Sequence, residues 1–433
     1  MKKLNLIVLI LTGIMLLSAD ISDRFVDAVT SNNFVEAESY YSPALAEALQ
    51  IGKLEIVWQG ILRSTGDFEV VVEKQTQERE DFTSVVTTLK FENIYMDMVM
   101  TVDKNNQLSG LFFRPSDYSD ELELEPDYVD MDKIVEEEVE FDCNGFTMHG
   151  SLVVPYDQRS FPIVIMATGS GPNDRDEKIG ANKPFKNIAY GLGKLGVATL
   201  RYEKRTFSHP DLLDRIPDFN IDHEYTEEIT AAIKFLATKY QGRKVYYLGH
   251  SMGAFMAPRV LTENPELEAA IMLAANARPL EDLVLEQTEY IMIETDTMNA
   301  LKLALLEKSI EDVKRLQNLK TEVEEPMLLG LSKEYWLSLN NYKLIKEAKA
   351  LTKPVLVLQG ERDYQVTTDD YDIWFENFGR SKNWHFILYP DLNHLFMSGK
   401  GKSLPKEYMS PNIVSEQVIN DISRFVLNIE SGK

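Results

Sequence analysis

The sequence predicts an α/β fold: a doubly wound, mostly parallel sheet that carries a helical insertion, preceded by a small α+β domain. From residue 135 onward, short apolar segments alternate with amphipathic ones, the pattern of a parallel sheet with helices on both faces. Before that point, helical periodicity gives way to segments with strand-like alternation. The length of 433 residues exceeds what one core usually holds and therefore fits two domains.

The composition is that of an ordinary globular protein, with 44% hydrophobic and 26% charged residues. The formal net charge of −24 argues against nucleic acids and anionic membrane surfaces as partners. The single cysteine, Cys143, excludes an intramolecular disulfide and any CxxC zinc or redox motif. We interpret it as a passive small side chain.

After Met1 come two lysines and an apolar run, residues 4–17, a pattern typical of a secretory signal. The run is shorter than the roughly 20 residues that a membrane-spanning helix needs. Ser18 and Ala19 supply small residues for cleavage. We therefore expect residues 1–19 to be a signal peptide that exports the protein to the periplasm or beyond the cell, without stable membrane insertion. An uncleaved membrane anchor is the alternative.

Residues 20–114 are predicted to form the small α+β module. Helical spacing covers 21–50, and four strand-like segments follow at 68–73, 82–91, 94–102 and 108–113. This order resembles the cone-shaped modules of the nuclear-transport-factor type that precede hydrolase domains in some bacterial proteins. Because the segment contains no histidine, we expect a binding or structural role.

Residues 115–134 are strongly acidic and are predicted to be a solvated linker. The second domain, 135–433, begins with a hairpin turned by Asn144-Gly145. Further strands are predicted at 161–167, 197–202, 244–248, 269–274, 354–359 and 384–389, with helices at 182–195, 224–240, 254–263 and 413–427.

One interval, 277–350, interrupts this alternation, because it has helical stripes and no strand signal. It lies between two predicted sheet strands and must therefore pack over the loop edge of the sheet. The position predicts a lid.

The strongest motif is Gly249-His250-Ser251-Met252-Gly253, which joins an apolar strand to a helical stretch. A serine hydroxyl is a poor nucleophile unless it stands clear of its own backbone and beside a base. A G-x-S-x-G turn between strand and helix exposes the serine in this way, and the helix N-terminus favours a nearby negative charge. Ser251 is the predicted nucleophile.

The base and the acid are expected on loops that follow strands. Among the histidines after Ser251, His394 follows the last predicted strand, whereas His385 lies inside it. The acid is predicted to be Asp363, with Glu361 as the alternative and Asp391 less favoured, because it shares the loop of the histidine. The order Ser251, Asp363, His394 is the order that α/β-hydrolases use.

An oxyanion hole needs two N–H donors beside the nucleophile. The amide of Met252 is one candidate, because it begins the helix after the serine. The second is expected from the glycine-rich loop 169–171, with the amide of Ser170 preferred and that of Gly169 as the alternative.

These residues together resemble the α/β-hydrolase superfamily, in the esterase branch with a Gly-Ser-Gly-Pro loop followed by Asn-Asp-Arg-Asp. The resemblance covers about 300 residues, from 135 to the C-terminus. It implies hydrolysis of a small-molecule carboxylic ester through an acyl-enzyme, without cofactor or metal ion.

Thr168 departs from the histidine that many relatives carry at that position. Because the superfamily also contains thioesterases, peptidases and acyltransferases, these activities remain alternatives, as does a non-catalytic ligand-binding protein. The oligomeric state is not predicted.

Overall fold

The computed structural model describes residues 21–78, 82–92, 94–116, 118, 124–157, 160–209, 212–322 and 328–432. The chain divides into two compact units between residues 121 and 122. The predicted signal peptide, 1–19, lies outside the described residues. Among those residues, no helix combines the length and apolar character needed to cross a membrane.

The first unit is a four-stranded antiparallel sheet with helices, which confirms the predicted α+β module. Its sheet order is β1-β2-β3-β4. The helices are α1 (21–30), α2 (Phe34–Glu38), α3 (Pro43–Leu49) and α4 (Leu54–Thr65), and the strands are β1 (Phe68–Glu78), β2 (Phe82–Phe91), β3 (Tyr95–Asp103) and β4 (Leu108–Pro115). Trp58 of α4 is 1% exposed and packs against the rings of Phe68, Phe91 and Phe113.

Strand β1 extends five residues beyond its predicted end at residue 73. The added part is polar and exposed, and its ladder with β2 continues to the pair Glu78 and Thr83. Backbone pairing rather than side-chain burial holds this segment, so hydrophobic patterning could not detect it.

The second unit contains an eight-stranded sheet in the order β12-β11-β10-β9-β7-β8-β6-β5. Strand β6 pairs antiparallel with both β5 and β8, and the other pairs are parallel. The strands are β5 (Ile134–Cys143), β6 (Phe146–Pro155), β7 (Ile163–Ala167), β8 (Ala198–Tyr202), β9 (Val245–His250), β10 (Leu267–Leu273), β11 (Val355–Gly360) and β12 (Trp384–Tyr389). The mostly parallel α/β sheet is confirmed.

Successive residues of the central strands enter two different cores. On β7, Ile163 and Ile165 belong to one apolar cluster, whereas Val164 and Met166 belong to the other. A sheet buried on both faces needs apolar residues at every position, which explains the continuous apolar runs in the sequence.

The helices around the sheet are α5 (Pro184–Lys194), α6 (Arg205–Ser208), α7 (Leu212–Arg215), α8 (Glu227–Lys239), α9 (Met252–Phe255), α10 (Ala257–Glu263), α15 (Thr368–Phe378) and α16 (Glu416–Glu430). The predicted helix 224–240 consists of a π-helical turn, Asp222–Thr226, followed by α8. The predicted helix 413–427 begins three residues later, because Val414 forms a β-bridge with Met397.

The insertion is helical, as predicted. It contains α11 (Leu280–Glu294), α12 (Ala300–Arg315), α13 (Lys333–Asn341) and α14 (Leu344–Ala348).

Part of the predicted linker, residues 115–134, is not a solvated segment. Tyr128 is 7% exposed and donates a hydrogen bond to the carbonyl of Val414, 2.8 Å away, so this stretch packs on the second unit.

Candidate active site

The turn at Ser251 is held by unusually close backbone contacts. Ser251 adopts φ 52° and ψ −117° between β9 and α9, and its amide donates to the carbonyl of Leu273 at 2.8 Å. A Cβ on Gly253 would lie 2.4 Å from the carbonyl oxygen of Ala167, and one on Gly249 would lie 2.3 Å from Gly253. Both positions therefore require glycine, since no side chain fits there.

The structure brings Asp363 and His394 together. They follow the adjacent parallel strands β11 and β12, and His394 Nδ1 lies 2.7 Å from Asp363 Oδ2. The other carboxylate oxygen accepts the amides of Gln365 and Val366, at 2.8 and 3.0 Å. Because an ionised carboxylate only accepts hydrogen bonds, the proton lies on Nδ1, and Nε2 is left as the basic nitrogen.

The two alternative acids are placed differently. Glu361 and Asp391 are exposed, whereas Asp363 and His394 are each 4% exposed. The geometry thus favours Asp363 as the partner of His394.

The glycine-rich loop lies beside Ser251. A Cβ on Gly169 would be 3.2 Å from Ser251 Cβ and 3.7 Å from its Oγ. The amide of Gly169 donates to Glu177 Oε1 at 2.5 Å, which removes it as an oxyanion donor. Within the described residues, neither Ser170 nor Met252 has an acceptor for its amide hydrogen. Of the two amides considered in this loop, Ser170 is therefore the better donor.

Lys204 fixes the carbonyl side of the same loop. Its ammonium group donates to the carbonyls of Gly169 and Gly171 at 2.8 and 3.1 Å, and Tyr225 also donates to Gly169 at 2.9 Å. Lys204 is 2% exposed and pairs with Glu224. Fixing the carbonyls fixes the peptide planes, and hence the direction of the N–H groups.

The neighbouring charged residues form ion pairs. Arg175 pairs with Glu203, Arg201 with Asp176, and Arg205 with Glu228. The sequence does not indicate that Lys204, among these charged residues, contacts the glycine-rich loop itself.

The insertion lies over the loops of the site. From α11, Gln287 donates to the carbonyl of Gln365 at 2.7 Å, and Tyr290 stacks on Tyr364 with ring centroids 5.3 Å apart. From the end of α13, Tyr342 donates to the carbonyl of Phe255 in α9 at 3.2 Å. The insertion therefore contacts both the loop that carries Asp363 and the helix after Ser251.

The strand order, the turn at Ser251 and the Asp363–His394 pair define the second unit as an α/β-hydrolase. Residues 183–400 match the family described as serine aminopeptidase, S33, and residues 22–111 match a protein family of unknown function, DUF3887. Over 431 residues the chain is 33% identical to Esterase EstD of Thermotoga maritima, covering 98% of this chain and 100% of that protein. The chain belongs to the esterase family of the α/β-hydrolase superfamily.

Two solved structures also align with the chain. Est1E from Butyrivibrio proteoclasticus is 16% identical, with 67% of this chain and 98% of that chain covered and a TM-score of 0.44. The Pyrococcus furiosus esterase Pf2001 is 14% identical, with 64% of this chain and 90% of that chain covered and a TM-score of 0.40.

Gly253→Ala should abolish most ester hydrolysis. The new methyl group would overlap the carbonyl of Ala167, 2.4 Å away, and displace the turn that carries Ser251. A displacement of about 1 Å typically costs ~10²-fold in rate. Steady-state hydrolysis of p-nitrophenyl acetate measures this loss. Gly60→Ala, in a helix with nothing within 4 Å of its new Cβ, is the matched control and should keep full activity.

Proposed function

We propose that the chain hydrolyses small-molecule carboxylic esters through an acyl-enzyme formed on Ser251. The observation that carries this proposal is the 2.7 Å contact between His394 Nδ1 and Asp363, at the same sheet edge as the turn at Ser251. The relation to Esterase EstD of Thermotoga maritima supports the reaction class.

In the proposed mechanism, His394 Nε2 takes the proton of Ser251 Oγ as the oxygen attacks the ester carbonyl. The amides of Met252 and Ser170 donate to the developing oxyanion, and each such donor typically contributes ~10²–10³ in rate. His394 then gives the proton to the leaving alcohol. In deacylation it activates a water molecule, while Asp363 holds the imidazole in one tautomer and stabilises its charged form.

We further propose that the insertion 277–350 sets the length of the acyl chain that the enzyme accepts. Ile310, Val313 and Leu316 of the insertion belong to the same apolar cluster as Met252 and Phe255. An insertion that shares this apolar core with the helix after Ser251 can exclude water from the site, as a lid does.

A peptidase is the second candidate, because the matched family is described as serine aminopeptidase, S33. The same serine, base and oxyanion donors cleave amides when the leaving amine is protonated. Acyltransferase and thioesterase activities use the same groups.

The basic start and short apolar run of residues 1–19 lead us to propose export from the cytoplasm, with an uncleaved anchor as the alternative.

Ser251→Ala and His394→Ala should each lower kcat for p-nitrophenyl esters by roughly 10⁴–10⁶. The reason is that the first variant removes the nucleophile and the second removes its base. A fluorophosphonate probe should label wild type at Ser251. Near-normal turnover by Ser251→Ala would refute the mechanism. Parallel assays with aminoacyl p-nitroanilides separate the esterase from the peptidase.

Replacing residues 296–322, which carry α12, with a Gly/Ser linker should flatten the dependence of kcat/KM on acyl length. Each buried methylene contributes ~0.8 kcal/mol, so wild type should gain roughly fourfold per CH₂ up to the limit of the pocket. The measurement is a series of p-nitrophenyl esters from acetate to palmitate. Leu301→Ala, at a position that is 72% exposed on α12, is the control. An unchanged profile in a folded replacement variant would show that α12 does not set chain length.

The mature protein should begin near Asp20 and lie outside the cytoplasm. N-terminal sequencing of the native protein after cell fractionation checks this. Deletion of residues 2–19 should leave active enzyme in the cytosol. An intact Met1 in the cytosolic fraction of cells that make the full chain would contradict export.

A further inference from the structure

Both ring nitrogens of His250 face hydrogen-bond acceptors. Nδ1 lies 2.9 Å from Glu177 Oε1, and Nε2 lies 2.9 Å from the backbone carbonyl of His394. An ionised carboxylate and a peptide carbonyl can only accept hydrogen bonds. With Glu177 ionised, each ring nitrogen therefore carries a hydrogen, which makes the ring an imidazolium.

The surroundings of this imidazolium are closed. His250 is 5% exposed and Glu177 is 4% exposed. The ring packs against Phe185 and Phe396, and its centroid lies 4.6 Å from that of His394. The charged groups that face it are Glu177 and, beyond His394, Asp363.

Glu177 serves two loops at once. The oxygen that pairs with His250 also accepts the amide of Gly169, 2.5 Å away, in the glycine-rich loop. Glu177 has φ 51°, a left-handed backbone conformation that residues other than glycine rarely adopt. Such conformations persist where the surrounding contacts impose them, and they cluster at functional sites.

We propose that Glu177 and the protonated ring of His250 are positioning residues, which join the base loop and the oxyanion loop to the turn of Ser251. His250 directly precedes Ser251, and its ring donates to the backbone carbonyl of His394, the proposed base. Glu177 accepts the amide of Gly169, the residue before the proposed donor Ser170. The proposal rests on the proposed esterase function of Ser251.

The arrangement makes the positioning dependent on pH. A neutral imidazole has one N–H, so it can serve Glu177 or the carbonyl of His394, but not both. Burial disfavours the charged ring, yet the carboxylate of Glu177 and the carbonyl of His394 outweigh burial and raise the pKa of His250. A raised pKa means that the positioned state is complete at and below the ordinary histidine range. It is lost as the pH rises through the raised value.

The decisive variant is Glu177→Gln, which keeps an acceptor for Gly169 but removes the negative charge. Without that charge, burial lowers the pKa of His250, so the ring should become neutral at a lower pH than in wild type and lose one of its two contacts. We expect kcat to fall by about 10–10²-fold at pH values between the lowered pKa of the variant and the raised pKa of wild type, with KM changed less than threefold. The alkaline fall in the pH–rate profile should move to lower pH.

The matched control is Glu140→Gln. Glu140 lies 3.2 Å from His149 in an exposed pair on the surface, so its loss should leave both the rate and the profile unchanged. A Glu177→Gln enzyme whose rate and pH profile match those of wild type would overturn the proposal.

Nitrogen-15 NMR tests the ionisation state in the intact wild-type enzyme, with His250→Gln used only to assign the signals. Both ring nitrogens of His250 should carry hydrogen, and the midpoint of its titration should lie above the ordinary histidine value of about 6.5. A midpoint at or below that value would overturn the proposal. This measurement does not need turnover. It can therefore refute the proposed role of His250 and Glu177 independently of the esterase function, which the Ser251→Ala variant tests.

Discussion

The site depends on one geometric constraint, the parallel arrangement of β7, β9, β10, β11 and β12, whose carboxyl ends meet at the same edge of the sheet. The backbone at that edge is packed so closely that Gly253 touches the carbonyl at the end of β7, while the amide of Ser251 donates to the end of β10. The turn at Ser251 is thus fixed by both strands that flank β9. Because Asp363 and His394 follow β11 and β12, the same sheet also places the proposed acid and base.

The sequence was informative wherever a local pattern corresponds to a structural requirement. The G-x-S-x-G turn and the continuous apolar strands were recognisable because glycine and two-sided burial leave residue-level signatures. Such patterns could not decide whether Gly169 or Ser170 is the better candidate for the oxyanion donor. That choice depends on the hydrogen bond between the Gly169 amide and Glu177, eight residues later. Lys204 and His250 were missed as supports of the loops for the same reason. Their partners are distant in sequence, and nothing in a single chain indicates which carbonyl a buried cation will face.

Buried ion pairs fix much of the geometry of the loops around Ser251, although such pairs contribute little to the stability of the fold. Taking an ion pair out of water costs free energy that its Coulombic attraction repays only in good geometry. Lys204 meets that condition through two loop carbonyls, Tyr225 and Glu224. The pair of His250 and Glu177 meets it only in part: Glu177 Oε1 and His250 Nε2 each bond a backbone group, whereas Glu177 Oε2 is buried without a partner in the described residues. Both pairs fix backbone positions around Ser251, and apolar packing elsewhere in the unit must offset what the second pair costs.

The same network connects the insertion to the oxyanion loop. Tyr335 of α13 donates to Glu224, Glu224 pairs with Lys204, and Lys204 holds the carbonyl of Gly169. A movement of the insertion that withdrew Tyr335 would leave a buried carboxylate short of a donor, at a cost of about 1–3 kcal/mol. That cost ties the observed position of the insertion to the geometry of the loop that carries Ser170, the proposed oxyanion donor. In the proposed mechanism, an acyl chain that packs well beneath the insertion would also favour the arrangement that stabilises the transition state, which would couple substrate size to rate as well as to affinity.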